Sequence, residues 1–140
     1  MPLMIEEIVP GAVAILETAP IFADPTLQFD GDKAAFRTGP FVCVQVVGNR
    51  SAWFHITRQL DKRGLRLKLK PEWRLEGSDI WRKEDQYISD ARKPYAAANA
   101  TFVHAGANEL PHQPHKRPHI SAEGVAAALA EMRKYGAKAL

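Results

Sequence analysis

The chain has 140 residues, a formal net charge of +3, 46% hydrophobic residues and a single cysteine, Cys43. That length holds one domain with a core of its own, so no disulfide or metal staple is needed. The composition excludes a disordered chain and a disulfide scaffold, and no apolar run is long enough for a transmembrane helix.

Met1-Pro2-Leu3-Met4-Ile5-Glu6-Glu7 carries no basic region and no signal-peptide core. This predicts a reducing, cytoplasmic setting with no membrane association, most simply in a bacterium or one of its mobile elements. Pro10-Gly11 marks a turn, and residues 12–17 read as a short apolar strand. Residues 18–27, with Pro20 and Pro25, read as a loop. Asp30-Gly31-Asp32 is a further turn.

The strongest signal follows. Phe41-Val42-Cys43-Val44-Gln45-Val46-Val47 and Ser51-Ala52-Trp53-Phe54-His55-Ile56-Thr57 flank Gly48-Asn49-Arg50. Two β-branched, aromatic runs around a Gly-Asn turn predict a β-hairpin. Alternation places Val42, Val44 and Val46 on one face and Phe41, Cys43, Gln45 and Val47 on the other. In the return strand Ala52, Phe54 and Ile56 form the apolar face. Trp53, His55 and Thr57 are then left as a working surface. Cys43, inside an apolar strand, is expected to be buried and inert.

Leu65-Arg66-Leu67-Lys68-Leu69-Lys70 alternates strictly and predicts a half-buried strand with its cations outward. The acidic start of the chain and the basic stretch over 58–70 give a two-signed surface, and the basic part suits a phosphate backbone. Residues 72–95 have no sustained periodicity and read as an aromatic loop with one helical turn near 83–88. Trp73, Trp81, Tyr87 and Tyr95 are interleaved there with Arg74, Arg82, Lys83, Arg92 and Lys93. Rings beside cations hold single-stranded nucleic acid, and equally they pin a long loop to a core. Residues 100–104 read as a final strand. His112, His115 and His119 fall in a proline-punctuated stretch, so they cannot share a helix face. No cysteine or acid stands among them to complete a zinc site, and a solvated linker is expected. Ser121 caps a helix over 122–135 with Val125, Leu129 and Met132 on one stripe, stopped by Gly136. The division is a barrel domain over 1–108, a linker over 109–120 and a C-terminal helix over 121–140, packed on the barrel or on a partner subunit.

The Arg37…Pro40 and Ile56-Thr57 layout around the hairpin resembles the PemK/MazF-like ribonuclease toxins. In that family an arginine precedes the proline that opens a central strand, and an Ile-Thr motif ends the next one. Here Thr38 and Gly39 separate Arg37 from Pro40, and Arg58 follows Thr57. The resemblance covers roughly residues 11–60 and implies an SH3-like or PemK-like barrel, usually a homodimer neutralised by an antitoxin. It implies acid/base and electrostatic work for Arg37 and a phosphate-holding role for Thr57. Chemically, a guanidinium suits an anionic phosphorane, a hydroxyl orients a phosphate, and a histidine such as His55 exchanges protons near neutral pH. Trp53, Arg58, Arg66, Lys68, Lys70, Trp81 and Arg82 are the expected nucleic-acid contacts. No Gly-rich phosphate loop, nucleophile elbow or paired Cys motif is present, and no cofactor or metal is expected. Two functions follow: RNA binding with metal-independent endoribonuclease activity, or a non-catalytic phage- or plasmid-encoded module binding protein or nucleic acid.

Overall fold

The central hairpin organises the computed structural model, which describes residues 2–31, 38–59, 66–110, 112, 116–138 and 140. Before it come β1 (Val13–Glu17) and a short helix α1 (Thr18–Ala23), where a loop is expected. The hairpin is β2 (Thr38–Val47) and β3 (Arg50–Thr57), with Val47 opposite Arg50. Gly48 has φ +60° and Asn49 is not among the positive-φ residues. That is the type II′ pattern, whose twist matches the strands it joins. A Cβ at Gly48 would meet nothing within 4 Å, so backbone conformation alone calls for glycine.

Four short strands and two helices follow: β4 (Leu67–Lys68), β5 (Arg74–Leu75), α2 (Asp79–Lys83), β6 (Tyr87–Ile88), β7 (Tyr95–Ala98) and α3 (Asn99–Ala105). The chain closes with β8 (His119–Ile120) and α4 (Ala122–Lys134). The fold is mainly β. Its antiparallel six-stranded sheet runs β1-β2-β3-β6-β4, with β7 also paired to β3. The outer edge of β3 is therefore shared, residues 50–53 with β7 and residues 56–57 with β6. The ends of this sheet, β1 and β4, do not pair with each other among the described residues, so the expected barrel is not closed. No helix among the described residues is long and apolar enough to cross a membrane.

A second ribbon, β5-β8, hangs from the start of β1. The Ile120 N–H donates to the Gly11 carbonyl at 2.8 Å, and the Val13 N–H donates to the Pro118 carbonyl at 3.0 Å. Gly11 sits at φ +100°, and a Cβ there would lie 2.5 Å from the Ile120 carbonyl oxygen. Only glycine fits.

Both faces of the sheet are covered. On one, Val42, Val44, Phe54, Ile56 and Ile88 pack with Trp73, Ile120 and the α4 residues Val125, Ala128 and Met132. The C-terminal helix thus packs on its own chain. Ser121 Oγ accepts the Gly124 N–H at 3.3 Å to start α4. At its other end Gly136 at φ +73° donates to the Arg133 carbonyl and Ala137 to that of Met132, which makes a Schellman stop.

On the other face Phe41, Cys43, Trp53, Tyr95 and Ala97 pack with Leu3, Ile8, Ile21, Phe102 and Ala105. Three expectations are corrected here. Trp53 is 0% exposed, with its ring 5.3 Å from that of Phe102, because α1 and α3 cover the face read as a working surface. Val46 joins Phe41 and Cys43 instead of Val42 and Val44. A register shift between Cys43 and Gln45 inserts one residue into β2 and reverses the alternation beyond it. Residues 100–104 are helical, since the sheet ends where the Asn99 N–H meets the Asn49 carbonyl at the hairpin turn, 2.7 Å away. Asn99, Phe102 and Ala105 then turn inward at helical spacing.

Candidate functional site

Where β3 leaves the sheet, the chain borders an open cleft of about 1220 Å³. It is lined by residues 55–59 with residues 13–15 of β1 and Pro40 of β2. The turn over 76–78, Ile80, Trp81 and residues 84–86 also line it. Glu109, His112, Lys116 and Pro118 complete the described lining. His55 and Thr57 share a face of β3, because they are two residues apart on a strand.

Thr57 is half-buried, pairs with Tyr87 of β6, and its Oγ1 accepts the Gln59 N–H at 3.3 Å. Arg58 is exposed and makes no ion pair among the described residues. Arg66 is half-buried and donates Nη1 to the Gln59 carbonyl, while its Nε is buried without a hydrogen-bond partner. Arg37, the expected reacting cation, lies outside the described residues.

His55 is half-buried, and its Nδ1 lies 2.5 Å from Ser89 Oγ. The Phe41 ring meets it edge-on with centroids 5.4 Å apart. Burial, and to a lesser degree the nearby Arg66 charge, lowers the imidazole pKa to about 4. At neutral pH His55 is uncharged. That value lies well below the pH at which proton exchange is expected of it.

The remaining predicted contacts are scattered. Lys68 is exposed and 3.5 Å from Asp85. Lys70 is exposed and lies 5.3 Å over the Trp73 ring. Arg82 is exposed on α2 and 3.3 Å from Asp79. Trp53 and Trp81 are buried, so neither offers a free ring face to a base. The Trp53 indole donates to Ser51 Oγ at 2.9 Å, and the Trp81 indole donates to the Leu75 carbonyl at 3.2 Å. Trp73, Tyr87 and Tyr95 are also less than 10% exposed. The aromatics of 72–95 pin their segment to the core, which was the second of the two readings open for them.

The cleft carries both signs. Glu76 sits 3.7 Å from Lys116, and His112 sits 3.5 Å from Glu109. Residues 116–120 of the expected linker belong to the fold: Arg117 is buried between Glu7 and Glu109. Among the described residues no group of three or more His, Cys, Asp or Glu side chains is arranged to hold a metal ion. Sequence reasoning missed Ser89, which is 34 residues from His55 and meets it only through the β3-β6 pairing. It also missed Glu109 and Arg117, which no local pattern marks.

Compared with known proteins, the chain matches no family model, no curated protein and no solved structure.

Proposed function

We propose that this protein binds single-stranded RNA across the end of β3 and cleaves it without a metal. The observation that carries the reading is that His55, Thr57 and Arg58 border one cleft. A hydroxyl and a guanidinium bordering one cleft are donors for a phosphate, and a guanidinium stays charged as a phosphorane forms. Arg66, near enough to act electrostatically on His55, adds a second cation at the same end. In this reading Thr57 holds the scissile phosphate, Arg58 and Arg66 hold the flanking backbone, and Arg37 stabilises the transition state. The open sheet is then a relative of the PemK-like barrels, with an antitoxin and a second copy of the chain as partners.

A second reading is favoured by one observation. The imidazole that β3 brings to the cleft, His55, is held neutral, with a pKa of about 4. A group so far from neutrality is a weak proton shuttle at pH 7, which suits a module that binds without cleaving.

Cleavage of RNA in EDTA by the wild type beside Arg37→Ala and Thr57→Ala separates the two. Cleavage that both substitutions abolish supports the ribonuclease. Binding without cleavage supports the module.

A further inference from the structure

The cleft is bordered by a buried amide that no sequence motif marks. Gln86 is 4% exposed and lies between α2 and β6. The register pairs Thr57 with Tyr87, and the next positions outward are Arg58 and Gln86. Both of these residues line the cleft. Gln86 is fixed at backbone and side chain alike. Its carbonyl accepts the Leu69 N–H at 2.9 Å, and its Nε2 donates to the Ile80 carbonyl at 3.1 Å.

The bond to Ile80 decides which end of the amide is which. A backbone carbonyl only accepts, so the atom that meets it is the nitrogen. The Ile80 carbonyl already takes the Glu84 N–H at 3.1 Å where α2 ends, so α2 has its closing bond without the amide. The leftover atom, Oε1, accepts no hydrogen bond among the described residues. Unlike Gln45 Oε1, it is not one of the buried polar atoms left without a partner. It is therefore open to solvent, on a residue whose open side is the cleft.

We infer that Gln86 is a specificity-determining residue, whose Oε1 accepts an amine hydrogen from the base of the nucleotide that Arg58 holds by its phosphate. This deepens the RNA reading and rests on it. With its nitrogen spent on Ile80, the side chain offers an acceptor alone, in one orientation. Such a group favours a base with an exocyclic amine. Among pyrimidines that is cytosine, whose C4 amine donates, over uracil, whose O4 would face the amide oxygen as a second acceptor.

The test is fluorescence anisotropy of the full chain with three labelled single strands, carrying 2′-O-methyl sugars so that they are not cleaved. One is oligocytidylate and one is oligouridylate. In the third, pyrimidin-2-one, which lacks the amine, replaces cytosine. The wild type should bind oligocytidylate about tenfold tighter than either of the others, the scale of one hydrogen bond. In Gln86→Met the preference should vanish, with oligouridylate bound as in the wild type. A preference that survives in Gln86→Met overturns the inference, because an amide that only anchors α2 would give that result. Should Gln86→Met fail to fold, the three wild-type affinities still decide. Equal binding of all three strands overturns the Gln86 role and leaves the RNA reading standing, whereas binding of none overturns both.

Discussion

Arg117 Nη1 donates to Glu109 Oε2 at 3.0 Å, and both atoms also serve the outer edge of β1. The same nitrogen donates to the Val13 carbonyl at 3.1 Å, and the same oxygen accepts the Ile15 N–H at 2.8 Å. Two side chains here stand in for a neighbouring strand. They satisfy backbone groups that would otherwise invite pairing with another chain. Arg117 also holds Glu7 at 2.7 Å, which ties the 3-10 turn Ile5–Glu7 to the segment that leads into β8.

Arg117→Ala strips this edge and leaves Glu109 buried without its cation. Breaking a buried pair in this way costs about 3–5 kcal/mol. Urea denaturation should show that loss, and light scattering should show association through the opened β1 edge. A loss under about 1 kcal/mol would mean that the pair acts as an ordinary surface bridge.

Gly11→Ala places a methyl against the Ile120 carbonyl at 2.5 Å and forces alanine to φ +100°. Backbone strain of this kind costs about 1–3 kcal/mol before the clash is counted. Gly136→Ala, with φ +73° but nothing within 4 Å, should cost less. Thermal unfolding of both variants ranks them, and the opposite order would contradict the β1-β8 junction.

Trp53→Ala should cost about 3–5 kcal/mol, because it empties a core site against Phe102. The wild-type Trp53 indole should stay shielded from acrylamide with or without RNA. Quenching of Trp53 by RNA would restore the working surface that burial removes.

Stability should fall as pH drops from about 6.5 to about 4. His55 titrates at 6.5 when unfolded and near 4 when folded, so the unfolded chain alone takes up its proton in that window. Below about 4 this group adds no further loss. Burial on its own would raise the Glu7 pKa, but hydrogen bonds from Arg117 and the Met4 N–H hold it below the usual glutamate value of 4.5, so its contribution is lost as the pH falls below that value. Urea midpoints between pH 4 and 8 should give a shallower slope above pH 4.5 for His55→Gln than for wild type. Equal slopes would contradict the buried imidazole.

The hairpin was legible because Gly48-Asn49 sets a turn that flanking β-branched residues can obey. The C-terminal helix was legible from Ser121, Gly136 and the spacing of Val125 and Met132. Alternation failed where it assumes an unbroken strand: the extra residue between Cys43 and Gln45 moves Val46 across the sheet. It failed again at Trp53, since a strand pattern does not say that helices cover its second face. Residues 100–104 are apolar enough for either period, and the end of the sheet at Asn99 decides for helix. Of the candidate site, His55 and Thr57 could be read from one strand, while Ser89 and Glu109 arrive by pairings across many residues.

The central claim is that RNA lies across the end of β3. Backbone amide NMR of the whole chain, titrated with a single-stranded oligoribonucleotide, tests it most directly. The account predicts shifts at His55, Thr57, Arg58 and Ser89, with Phe102 and the body of α4 unmoved. Shifts confined to α4 or the β5-β8 ribbon, or none at saturating RNA, would contradict it.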